Sequence, residues 1–145
     1  MTSEQIDRIS VRKLLNKISI GWQMTGSRFI CDPPPMDTDE DYIIYGGNLH
    51  IIEEILYKAG FKFTTDPDYD GGNWFLTFRL NEFNIIATDS EAFFERFVSA
   101  TLLAKSRNLL DKSDRIALFQ KILYGDVVGK SSLFKKKNVD EKEII

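Results

Sequence analysis

Thr25-Gly26-Ser27-Arg28 and, beyond a proline-rich interval, Thr38-Asp39-Glu40-Asp41-Tyr42-Ile43-Ile44 form the stretch on which the reading of this chain turns. Ile20 to Thr25 reads as a short buried strand, broken by Gly26-Ser27. Phe29 to Asp37 contains Pro33-Pro34-Pro35, which locks φ and cannot continue a helix, so a stiff extended loop is expected there. Tyr42 to Tyr45 is aromatic and β-branched, a second strand ended by Gly46-Gly47. Side chains at i and i+2 of a strand share a face about 7 Å apart. Asp39 and Asp41 at the mouth of the second strand would therefore point the same way and grip one divalent ion, with Glu40 facing away. Glycine at position 26 lets backbone approach a phosphate closely, and the Ser27 hydroxyl and nearby amides can donate to its oxygens.

Outward from this stretch, the period of the apolar residues sets the remaining elements. Ile6, Ile9, Val11, Leu14, Leu15 and Ile18 predict an amphipathic helix over 5–18, opened near Ser3. Asn48 caps a predicted helix from Leu49 to Ala59 with Ile51, Ile52, Ile55 and Leu56 on one face and Gly60 at its end. Phe61 to Thr64, Trp74 to Leu80 and Phe83 to Thr88 read as strands, the last two joined at Asn81-Glu82 and the middle one alternating in period two. Ser90 caps a helix to about Lys105 with Phe93, Phe94, Phe97, Val98, Thr101 and Leu102 inward, and Asp111 opens a last helix to Tyr124. The order is that of an α+β fold, a mixed β-sheet flanked by helices with two helices at the C-terminal end. One domain over 1–128 and a charged, mobile tail over 129–145 are expected.

With 145 residues, 43% of them hydrophobic and 28% charged, the chain has the composition of one globular domain. A net charge of -3 argues against non-specific binding of duplex DNA. A single cysteine, Cys31, excludes an internal disulfide, and with His50 as the one histidine it excludes Cys/His zinc clusters and makes hydrolase triads poor candidates. A buried thiol and an exposed helix histidine are the plain expectations. No run of about eighteen apolar residues exists and Thr2 to Arg8 is polar, so neither a membrane span nor a signal peptide is expected and the cytoplasm is the default compartment.

A Gly-Ser turn at a strand end, then a small hydroxyl residue, Asp, any residue, Asp and an apolar run resembles the signature of the DNA polymerase beta-like nucleotidyltransferase superfamily. The matching residues are Gly26, Ser27, Thr38, Asp39, Asp41 and Tyr42 to Ile44. The chain is also similar to small nucleotidyltransferase-like proteins of bacteriophages in its Thr-Gly-Ser-Arg and Asp-Thr-Asp-x-Asp-Tyr phrases and its Asp114-Arg115-Ile116 to Leu123-Tyr124-Gly125 ending. The resemblance implies transfer of a nucleoside monophosphate from a nucleoside triphosphate such as ATP to a hydroxyl on a protein, RNA or small molecule. Asp39 and Asp41 would hold two magnesium (or manganese) ions, while Gly26, Ser27 and the adjacent Arg28 would bind the phosphates. Two departures stand out. Pro33-Pro34-Pro35 interrupts the helix that follows the turn in the family, and Asn84 stands where a later strand carries a third carboxylate. A neutral amide is no base. Glu82, two residues earlier, is the candidate substitute if the strand begins that early.

Other readings compete. Asn84 motivates a catalytically silenced relative, a binding or inhibitory module of antitoxin-like or phage accessory type, and a third class is an interaction protein that shares only the scaffold. The acids at 37, 39 and 41 have a bland reading as a solvated turn. Asp66-Pro-Asp68-Tyr-Asp70-Gly71 imitates a calcium loop but carries Thr77 at the twelfth position and reads as a surface turn. Lys105, Arg107, Lys112, Arg115 and Lys121 are either ordinary solvated charges or a basic wall facing the cleft.

Overall fold

The computed structural model describes residues 7–36, 38–65 and 75–125. In chain order the elements are α1 (Arg8–Ile18), β1 (Gly21–Thr25), α2 (Gly26–Ile30), β2 (Glu40–Tyr45), α3 (Leu49–Lys58), β3 (Lys62–Thr64), β4 (Leu76–Leu80), β5 (Phe83–Thr88), α4 (Glu91–Ser106) and α5 (Lys112–Tyr124). The fold is α+β: among the described residues, a five-stranded mixed sheet in the order β1-β2-β5-β4-β3 with five helices. β2 and β5 run parallel at its centre, and every other neighbouring pair is antiparallel.

Local chemistry explains most element boundaries. Asn48, Ser90 and Asp111 each accept a backbone N–H of the helix that follows, satisfying one of its orphan donors. Asp7 does the same for α1, accepting from Ser10 N at 2.9 Å. The start expected near Ser3 lies outside the described residues, as do the turn-rich 66–73 stretch with its calcium-loop imitation, Asp37, Trp74 and the 129–145 tail. The proline run corrects one expectation. Phe29 and Ile30 do not belong to an extended loop but close α2, a short helix that leaves β1 directly at Gly26 and ends before the prolines.

The sheet carries a separate apolar layer on each face. Val11 and Leu15 of α1, Ile52 and Leu56 of α3, and Tyr42, Ile44, Phe78, Phe83 and Ile85 of the strands form one. Ile30 and Cys31, Ile43 and Ile86, Phe93, Phe97, Ala100 and Ala104 of α4, and Phe119 and Leu123 of α5 form the other. Alternation decides the sides: Phe78 and Leu80 of β4 enter the first layer, while Phe75, just before β4, stacks on Phe93 in the second. The helix faces are narrower than expected. Ile9, Ile51 and Leu102, each placed inward from the sequence, are 66%, 50% and 48% exposed. An α-helix turns 100° per residue, and these positions fall off the stripe that Val11–Leu15, Ile52–Leu56 and Phe93–Phe97–Ala100–Ala104 define. His50 is exposed and Cys31 is a buried free thiol, as expected. Among the described residues no helix is long and apolar enough to cross a membrane.

Candidate functional site

Sheet register builds the site. Thr25 of β1 pairs with Asp41 of β2, Asp41 with Asn84 of β5, and Asn84 with Arg79 of β4. Directly paired residues point to the same side of a sheet, so these four form one row across it, on the α4/α5 face. The Thr25 hydroxyl lies 2.8 Å from that of Thr101 and fastens the end of β1 to α4. The chain then turns at Gly26, whose φ of +78° is left-handed. There is no room for a side chain at this turn, since a Cβ would stand 1.9 Å from Asp41 Oδ2 and 2.9 Å from Asp41 Cβ. Glycine therefore serves both the backbone conformation and the contact with the carboxylate.

The next residue ties the two halves of the sequence motif together. Ser27 Oγ is 2.6 Å from Thr38 Oγ1, linking the turn to the residue just before the paired acids. Gly26, Ser27, Thr38, Asp39, Asp41 and Asn84 all line one cavity of about 530 Å³. Thr64, Thr65 and Arg79 line it too, and Lys112, Arg115, Ile116 and Phe119 of α5 contribute a further wall. Two members of the basic set thus face the cleft. Arg115 is tied to the protein there, its Nη1 donating to the carbonyls of Leu109 at 3.0 Å and Leu110 at 2.8 Å.

Asp39 precedes β2, and its carboxylate is held by Arg79 through two contacts, Nη1 to Oδ2 at 3.1 Å and Nη2 to Oδ1. Hydrogen bonding to Asp39 raises the Arg79 pKa further, and the charges of Asp39 and Asp41 add to this. Arg79 escaped the sequence reading, although a signal for it existed. A two-residue hairpin at Asn81-Glu82 sets Leu80 opposite Phe83 and so Arg79 opposite Asn84.

Two expected residues are placed elsewhere. Glu82 is exposed in the β4–β5 turn, outside the strand and away from the cavity lining, and its backbone carbonyl accepts from Glu40 N at 2.8 Å. Arg28 leaves α2 toward the opposite side, donating to Glu40 Oε1 at 3.0 Å and to the Thr38 carbonyl at 2.8 Å. Glu40 does face away from Asp39 and Asp41, as alternation requires, but into a polar cluster and not into solvent. It is 1% exposed and also accepts from Arg8 Nε at 2.8 Å and from the Tyr42 hydroxyl. Burial alone would raise its pKa, but hydrogen bonds from Arg8 and Tyr42 and the Arg8 charge outweigh burial and leave it below the ordinary carboxylate value. Burial, followed by the hydrogen bond to Glu40, pushes the Tyr42 hydroxyl up to about 12. Arg12 reaches the same hydroxyl at 3.0 Å and sits over the Trp22 ring.

Among the described residues no three His, Cys, Asp or Glu converge as a metal group. The cavity offers two carboxylates, the Asn84 amide and the hydroxyls of Ser27 and Thr38, a set in which every donor to a cation is oxygen. Such donors suit magnesium or manganese, and magnesium in particular binds through one or two carboxylates together with substrate phosphates. No known family model matches the chain, and no curated protein sequence or solved structure matches it.

Proposed function

We propose that this chain is a nucleotidyltransferase-like protein that binds a nucleoside triphosphate with magnesium or manganese and transfers the nucleotide to a hydroxyl acceptor. One observation carries the reading: Gly26 of the Gly-Ser turn touches Asp41, and turn and paired acids open on one cavity. Transfer forms a bond from the acceptor oxygen to the α-phosphorus and breaks the bond to the bridging oxygen, releasing pyrophosphate. Asp39 and Asp41 would hold the ion, which supplies positive charge to phosphoryl oxygens when bound. Gly26, Ser27 and Lys112 line that cavity, where the turn's backbone amides would donate to phosphate oxygens and Lys112 would bring cationic charge from the α5 wall. Asn84 cannot accept the acceptor's proton, and in this reading Asp41, its neighbour in the row, would take it.

Incubation with radiolabelled triphosphates, Mn²⁺ and a cell lysate is expected to label an acceptor. Labelling that persists in the double variant Asp39→Asn, Asp41→Asn would refute the assignment.

A second reading is favoured by Asn84 and by the Arg79 grip on Asp39: a silenced module that binds nucleotide without transferring it. Calorimetry separates the two. Metal-dependent binding with no product supports the silent module, and turnover appearing in Asn84→Asp would trace the silence to that one position.

A further inference from the structure

Arg79 grips both carboxylate oxygens of Asp39 from the wall of the cavity, with Nη1 at 3.1 Å from Oδ2. The same fork reads two oxygens of a phosphate. Neither partner is sealed in, the side chains of Arg79 and Asp39 being 42% and 41% exposed, and ion pairs at that exposure add little net stability, so giving this one up costs little. Asp39 cannot give its oxygens fully to this fork and to a metal ion at once. Register places Arg79 beside Asn84 and in one row with Asp41, and Arg79 itself lines the cavity, so a released guanidinium stays there.

We propose that Arg79 is a polyphosphate ligand held in reserve: it occupies Asp39 in the nucleotide-free protein, then passes to the triphosphate as Asp39 turns to the divalent ion. The inference rests on the metal and triphosphate reading of the cavity and deepens it, making the two bind as a coupled pair. The metal alone must displace an arginine, whereas metal and triphosphate together give that arginine a new partner. By linkage each then raises the affinity of the other.

The test uses the full chain, stripped of metal, as wild type, Arg79→Ala and Arg79→Lys. Mn²⁺ binding is followed by the loss of free-ion electron paramagnetic resonance signal, with and without a triphosphate analogue methylene-bridged between the α and β phosphorus. Arg79→Ala is expected to bind Mn²⁺ alone roughly threefold to tenfold more tightly and the analogue in Mn²⁺ about tenfold more weakly, losing most of the coupling. Arg79→Lys keeps a point charge without the fork and is expected to fall between. Circular dichroism and thermal melting of both variants establish that the fold is intact, and a collapse of Arg79→Ala moves the decision to Arg79→Lys. Unchanged affinities, or equal weakening of both ligands, would overturn the role of Arg79 while leaving the cavity reading in place. Wild type that takes up neither Mn²⁺ nor the analogue would overturn both.

Discussion

At the scale of single residues, Gly26 is the most demanding position in the molecule. Its φ of +78° strains any other residue, and a Cβ would meet Asp41 at Oδ2, Cγ and Cβ together, so rotation of the carboxylate does not clear the space. Gly26→Ala is expected to cost about 1–3 kcal/mol in urea unfolding. It should also weaken Mn²⁺-dependent nucleotide binding by displacing Asp41. Loss of binding with unchanged stability would place the effect elsewhere. Asn84 lies between Asp41 and Arg79 in the row. Asn84→Asp adds a carboxylate beside Asp41 and is expected to tighten Mn²⁺ about tenfold, since hard cations follow ligand charge. Calorimetric titration with the ion alone reads this directly.

At the scale of elements, Glu40 joins α1, α2 and β2 through Arg8, Arg28 and the Tyr42 hydroxyl, and it does so from between the two aspartates. Glu40→Gln is expected to cost about 1–3 kcal/mol at neutral pH, because the cluster loses the charge it is built around. The folded pKa of Glu40 is depressed below its ordinary 4.5, so its contribution is complete above that pH and disappears as pH falls through the lower folded value. The stability gap between wild type and variant should therefore close in acid. Tyr42 acts at the other end of the scale. Burial disfavours its ionised form in the fold, so stability is undiminished below the ordinary 10.0 and falls as pH rises from there through about 12. Absorbance titration of the tyrosinate band should find a group ionising near 12 that is absent in Tyr42→Phe. These same elements mark how far sequence reading reaches. The strands and caps were legible because alternation at Phe75 to Leu80 and capping residues such as Ser90 act locally. Asp39, Asp41 and the Gly-Ser turn were legible as a pattern, and the fold brings them to one cavity. The fates of Arg28 and Glu82 were not. Which side a long arginine takes from a short helix, and whether a residue falls in a turn or a strand, depend on tertiary partners such as Glu40 and on the hairpin register.

At the scale of the whole molecule, the sheet separates two apolar layers and leaves the cavity at the edge of the second. Phe97 meets Phe119 edge to face with centroids 5.0 Å apart, and Phe119 is itself part of the cavity wall. Phe97→Ala is expected to cost about 3–5 kcal/mol and to weaken nucleotide binding with it, since the void opens behind that wall. Urea denaturation and ligand titration on the same sample measure both. The fold thus gathers a turn from one end of β1, two acids from the start of β2 and a basic helix from late in the chain around a single space. The most direct test of that convergence is calorimetric titration of the full chain with a non-transferable triphosphate analogue, with and without Mn²⁺, beside the Asp41→Asn variant. Saturable binding that requires Mn²⁺ and is lost in the variant is the expected result. Absence of binding, or binding indifferent to both the ion and Asp41, would contradict the assignment of this cavity to a nucleotide.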